Sequence, residues 1–175
     1  MPSPLDLIYH TLKRHLHLTA HQLVAVTLWT AHTFLFGQFS VTPRLVLVSP
    51  VRRCGKSTLL SIINALGCRA RKSDHITAAV LFRLISRDRP TLLLDEADNQ
   101  DLLTNPTLRA VLNSGHRADG TIMRYIDGGP QEFNTFAPVA LATIGILPLP
   151  LMHRSVILHM ERAPIPLTRF DPKTI

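Results

Sequence analysis

The sequence predicts an α/β fold: a mainly parallel sheet buried between helices. Three observations carry this. Residues 44–48 (RLVLV), 91–94 (TLLL) and 138–144 (PVALATI) are short aliphatic runs with almost no polar break, as strands covered on both faces require. Helix-like spacing fills the segments between them. A turn-rich loop, 49–57, joins the first run directly to a helix.

Taken in order, residues 5–17 place Leu5, Ile8, Leu12 and Leu16 at helical spacing. Thr19 suits the cap of a second helix over 20–36, which Gly37 ends. That helix is apolar nearly all round, so it belongs deep in the packing. The first strand follows Pro43. After the loop, a helix over 58–66 stops at Gly67, and 68–76 holds a short strand. Residues 77–87 form an amphipathic helix with Ala78, Leu81, Phe82 and Ile85 on one face. The second buried strand, 91–94, is expected beside the first and ends in Asp95 and Glu96. A helix over 105–113 and strands over 138–144 and 155–160 complete the reading. The division that results is an N-terminal helical segment 1–40 packed on the core, a core 41–162 and a Pro-rich tail 163–175.

With 175 residues, the chain is long enough to bury one core without disulfides or a structural metal. Its two cysteines make neither a disulfide framework nor a zinc site. The longest apolar stretches, 23–36 and 138–151, are too short for a bilayer span of roughly 20 residues. The start of the chain lacks the order of a signal peptide, so a cytoplasmic protein with no membrane is expected. Residues 1–89 hold twelve basic and three acidic residues, a net of +9, whereas 90–175 hold seven and nine. A basic front half suits a polyanion, either nucleotide phosphate or DNA, but also suits a solvated Arg-rich surface.

The sharpest signal is Ser49-Pro-Val-Arg-Arg-Cys-Gly-Lys-Ser-Thr58 between strand and helix. That context is the one a phosphate-binding P-loop needs. Backbone amides of Arg53, Cys54, Gly55, Lys56, Ser57 and Thr58 can cradle phosphate, and the following helix start favours anions. Lys56 supplies a mobile charge for the β- and γ-phosphates, and Ser57 offers a hydroxyl to Mg²⁺. The motif departs from its usual form at Pro50, which stands where the first glycine belongs. Pro90-Thr-Leu-Leu-Leu-Asp-Glu-Ala-Asp98 then puts carboxylates at a strand end. Asp95 is the candidate Mg²⁺ ligand, and Glu96 the candidate base for an attacking water. The Asp-Glu pair tilts towards hydrolysis over phosphotransfer. The Asp-Glu-Ala-Asp spelling is discounted as a helicase signature, because such helicases need two motor domains.

Further segments follow in order: Trp29–Thr33, Thr42–Leu45, Ala78–Arg83, Leu112-Asn-Ser-Gly-His-Arg117 and Pro138–Pro148. With the two motifs, this ordered set over roughly 20–162 resembles the bacterial and phage P-loop family catalogued as domain of unknown function 3631. The resemblance implies a P-loop NTPase of ASCE type, RecA- or AAA-like: a three-layer sandwich with a mainly parallel central sheet and N-terminal helices. It further implies a Mg²⁺-dependent ATP-hydrolysing role in DNA replication or mobile-element maintenance, alongside primase–polymerase or Toprim modules. A helical lid of the kind found behind related ATPase cores is not visible in the sequence. By the same likeness Thr143 is a candidate γ-phosphate sensor, and Arg154 a candidate arginine finger acting on a neighbouring subunit, which would require a homo-oligomer. Arg117 is the alternative finger. Asn113 and Gly115 read rather as a helix stop, and the nine histidines as surface or packed residues. Two other readings stay open: a slow or non-hydrolysing nucleotide-binding assembly module, and a degenerate prophage remnant.

Overall fold

The computed structural model describes residues 3–95, 105–145 and 148–174. Two N-terminal helices, α1 (Pro4–His15) and α2 (Ala20–Leu35), each open on a capping box, Ser3 with Asp6 and Thr19 with Gln22. Each box satisfies helix-start amides that have no partner within the helix. The core strands are β1 (Arg44–Ser49), β2 (Ala70–Ser73), β3 (Thr91–Leu94), β6 (Val139–Ile144) and β7 (Ser155–His159), all in parallel pairing. The crossovers carry α3 (Lys56–Leu66), α4 (Ala78–Asp88), α5 (Pro106–Ser114), a hairpin of β4 (Thr121–Ile126) and β5 (Gly129–Asn134), and the short α6 (Leu149–Met152). The result is an α/β architecture with a five-stranded parallel sheet.

The strand order is β2-β3-β6-β1-β7. This corrects the expectation that the second buried run lies beside the first. β6 sits between them, with Ala140 in register with both Leu45 and Leu93. A buried strand reads alike in sequence whichever neighbour it takes, so order is a tertiary decision.

Period-two alternation sorts the strands between two cores. Leu45, Leu47, Leu93, Ala140, Ala142 and Leu158 pack with α1, α2 and α3. Val46, Leu92, Leu94, Val139 and Leu141 pack with α4, α5 and α6 on the other face. The hairpin was not anticipated. Its two-residue Asp127-Gly128 turn has φ of 52° and 84°, the left-handed pair that joins antiparallel strands tightly. The Pro-rich segment after β7 packs back on α1, where His15 Nδ1 donates to the Thr168 carbonyl at 2.7 Å and Phe170 meets the His15 ring edge-on.

At the N-terminal end of β1 the fully buried Arg44 donates to the carbonyls of Leu112 (Nε 3.2 Å, Nη2 2.9 Å) and Ala137 (Nη1 2.5 Å). Burial pushes its pKa down to about 9, with the Arg154 charge adding to the shift, so it stays protonated at neutral pH. Gly115 ends α5 beside it with an ordinary φ of −72°, so its need for glycine is space and not a left-handed backbone. A Cβ there would lie 2.0 Å from the Thr135 carbonyl oxygen and 2.8 Å from Arg44 Nη2. Gly115→Ala should therefore cost about 3 kcal/mol or more as overpacking against backbone. Gly37→Ala, with open space around it, should change stability by less than about 0.5 kcal/mol. Thermal melts of the two variants check the contrast, and equal melting temperatures would remove the close approach from the account.

Candidate functional site

The parallel sheet delivers the C-terminal ends of β1 and β3 to one edge, and the loop 50–55 follows β1 there. Ser49, 1 % exposed, ends the strand; its hydroxyl donates to the Val51 carbonyl at 2.7 Å and accepts a hydrogen bond from Lys56 Nζ. Cys54 is buried beneath the loop, with Sγ 3.4 Å from the Val51 carbonyl. Arg53 and Gly55 have φ of 64° and 84°, the left-handed steps that can turn neighbouring amides towards one point. At Gly55 a Cβ would also press on Leu16 Cδ2 at 3.0 Å, where the residue after α1 abuts the loop.

No side chain caps α3, which begins at Lys56, two residues earlier than the sequence suggested. Its first amides and the positive end of its dipole therefore suit an anion. They border a cavity of about 280 Å³ lined by Arg53, Cys54, Gly55, Lys56, Ser57 and Thr58 and, across from them, by Asp95, Ala142 and Ile144. Ser57 is exposed and Asp95 is 6 % exposed. A cationic, amide-rich wall facing a carboxylate can hold phosphate oxygens with a divalent ion between them.

Asp95 carries a partner that the sequence reading missed. Lys72, on the edge strand β2, faces it with Nζ 2.9 Å from Oδ2. The period-two alternation and the β2–β3 register, Lys72 opposite Leu93, put both side chains on the α3 face. A lysine in a strand of mixed pattern carries no such signal until the register is known. Ser49 was likewise read only as the first letter of the loop, not as the acceptor that holds Lys56.

Several expected residues lie elsewhere. Thr143 is buried on the opposite pleat of β6, in register with Val48, while Ala142 and Ile144 on the other pleat reach the cavity. Alternation thus removes it from direct contact with a phosphate there. Arg154 precedes β7 at the far end of the sheet, where its carbonyl accepts from the Arg44 amide at 2.9 Å. Six residues of β1 separate that end from the loop, roughly 20 Å at about 3.3 Å each. Its guanidinium donates to Asn113 Oδ1 at 3.2 Å and the Pro150 carbonyl at 3.1 Å, so in its own chain it braces α5 against α6. Arg117 is engaged by Asp119 at 2.8 Å. Glu96 lies outside the described residues. Among the described residues no group of three or more His, Cys, Asp or Glu is arranged to hold a metal, and no helix is long and apolar enough to cross a membrane.

Compared with protein-family models and with curated proteins, the chain matches neither a family model nor a curated protein.

The Lys72–Asp95 pair is testable by itself. Lys72→Met removes the ammonium from a nearly buried carboxylate and should cost about 1–3 kcal/mol in the absence of divalent ions. Mg²⁺ should restore part of the lost melting temperature, because it can take over the same carboxylate. A variant that melts like the wild type in chelator would show that the pair contributes nothing.

Proposed function

We propose that the chain is a Mg²⁺-dependent ATP-binding and ATP-hydrolysing domain of P-loop NTPase type, working in DNA replication or the maintenance of a mobile element. The observation that carries this reading is the cavity between the uncapped start of α3 and Asp95, with Lys56 and Ser57 on its wall. The strand order supports it: Asp95 ends a strand one removed from the strand that feeds the loop, leaving room between them for a phosphate and its counter-ion. A second cavity of about 370 Å³ shares Arg53, Cys54 and Gly55 with the first and continues between His15, His17 and the 161–167 segment, a fitting place for the nucleoside.

In this reading Lys56 leaves Ser49 to meet the β- and γ-phosphates, and the amides from Arg53 to Thr58 fix the β-phosphate. The donor set suits Mg²⁺: Ser57 and Asp95 provide two hard oxygens, and phosphates and water complete the shell. Bound Mg²⁺ would neutralise phosphate charge. Asp95 already attracts a cation in the form of the Lys72 ammonium. Glu96, next in sequence, is the assigned base for the attacking water. Arg154 is kept for a finger only towards a neighbouring subunit. The link to DNA and to primase-type partners rests on the family resemblance and the basic front half.

A second reading is a nucleotide-binding assembly module that turns over slowly. The Lys72–Asp95 pair favours it, since a resident ammonium competes with the metal.

Lys56→Ala should abolish binding of a fluorescent ATP analogue, because it removes the main side-chain charge on the phosphates. Unchanged affinity in a folded variant would sink the assignment. Glu96→Gln should keep binding and lower phosphate release by about 100-fold or more, the amide being a far poorer base. Phosphate release within twofold of wild type would move the base elsewhere. Wild type that binds the analogue yet releases no phosphate would select the second reading.

A further inference from the structure

On the face of the sheet away from the phosphate loop, α4 and β2 gather a basic track that the nucleotide reading does not use. Arg71 Nη2 lies 3.0 Å from Asp88 Oδ2, and Arg87 grips the same carboxylate with Nε at 2.7 Å and Nη2 at 2.9 Å. Arg69 donates to the Asp88 carbonyl at 3.2 Å. Two guanidiniums thus share one carboxylate while a third holds the backbone of the same residue, and the pKa of Asp88 is held down chiefly by its hydrogen bond to Arg87, with the Arg71 and Arg69 charges adding to it. Arg89 follows immediately and is exposed. The only other described acidic residue on β2 or its flanks is Asp74, with Lys72 Nζ 3.8 Å from its Oδ1.

The track runs on into a groove. Arg87 and Arg83 line a cavity of about 520 Å³ with Val80, Leu84, Ser86 and Phe133. Beneath it the Phe82 and Phe133 rings meet tilted at 59° with centroids 4.8 Å apart, and Arg83 and Arg124 lie 5.5 Å and 5.8 Å from the Phe82 centroid. Glu132 is the nearest acidic residue of the hairpin, on the pleat opposite Phe133 and across from Met123. Guanidiniums at the rim and apolar, aromatic surface below match a phosphodiester backbone whose bases are unstacked. Duplex keeps its bases inside and offers nothing to the groove.

We propose that this track binds single-stranded nucleic acid without sequence preference, with phosphates on Arg71, Arg83 and Arg87 and a base in the groove between Val80 and Phe133. It deepens the DNA side of the proposed function and rests on that reading only for its biological setting. The competing explanation is that the arginines merely protect an edge strand and cap α4.

The test uses the full chain and a fluorescently labelled oligothymidylate, alone and annealed to oligoadenylate. Arg71→Gln/Arg83→Gln leaves Arg87 on Asp88 and should weaken single-strand binding by about tenfold, and flatten the logarithmic salt dependence by about 1.4, at roughly 0.7 per phosphate contact. Val80→Glu, at a position 54 % exposed, should weaken it by a similar factor while melting like wild type. Duplex should bind more weakly. Unchanged single-strand affinity in either variant, or duplex binding as tight as single strand, overturns the proposal. Both variants should still bind the fluorescent ATP analogue, and Lys56→Ala should still bind oligothymidylate. The two readings therefore fail separately: loss of nucleotide binding alone leaves the track standing, and loss of oligothymidylate binding alone leaves the loop standing.

Discussion

The parallel pairing of β1 is the constraint on which the rest of the molecule depends. Leu45, Val46 and Leu47 are wholly inaccessible, so this strand must have its backbone satisfied on both edges and its side chains covered on both faces. β6 and β7 supply the edges, and helices supply the covers. Parallel neighbours require crossovers, and crossovers bring every strand to the same end of the sheet. The loop 50–55 and Asp95 meet at that end because of this, although they are some forty residues apart in sequence.

Electrostatics at that end are arranged around groups whose charge has a partner waiting. The α3 amides lack a side-chain cap, Lys56 rests on Ser49, and Asp95 rests on Lys72. The last two are internal pairings of complementary polarity or charge, and the first is an open anion-favouring end. The Lys72–Asp95 pairing is a property of the folded site and not of either motif alone.

The opposite end of the sheet shows how residues that look functional also hold the architecture together. Arg44 takes the Leu112 and Ala137 carbonyls, Arg154 takes Asn113, the Thr42 amide donates to the His116 carbonyl, and Gly115 admits the Thr135 backbone. The Leu112–Arg117 segment, grouped in sequence with the nucleotide motifs, is therefore a clamp that closes the sheet's N-terminal edge. A buried guanidinium satisfied by carbonyls is costly to disturb, because losing it strands several acceptors at once.

The sequence by itself determined the local elements. Aliphatic runs 44–48 and 91–94 read as buried strands, Thr19 as the opening of a helix, and Gly55-Lys-Ser57 between strand and helix as an anion-favouring turn. The sequence also carries a tight-turn signal for the hairpin in Asp127-Gly128. What only the tertiary structure decided was adjacency. β6 separates β1 from β3, the pleat turns Thr143 away from the cavity while admitting Ile144, and the β2 register sets Lys72 against Asp95. The physical reason is that propensity and hydrophobic period act over a few residues and report only whether a surface is covered. Strand order, register and the side of a pleat depend on which distant segment does the covering.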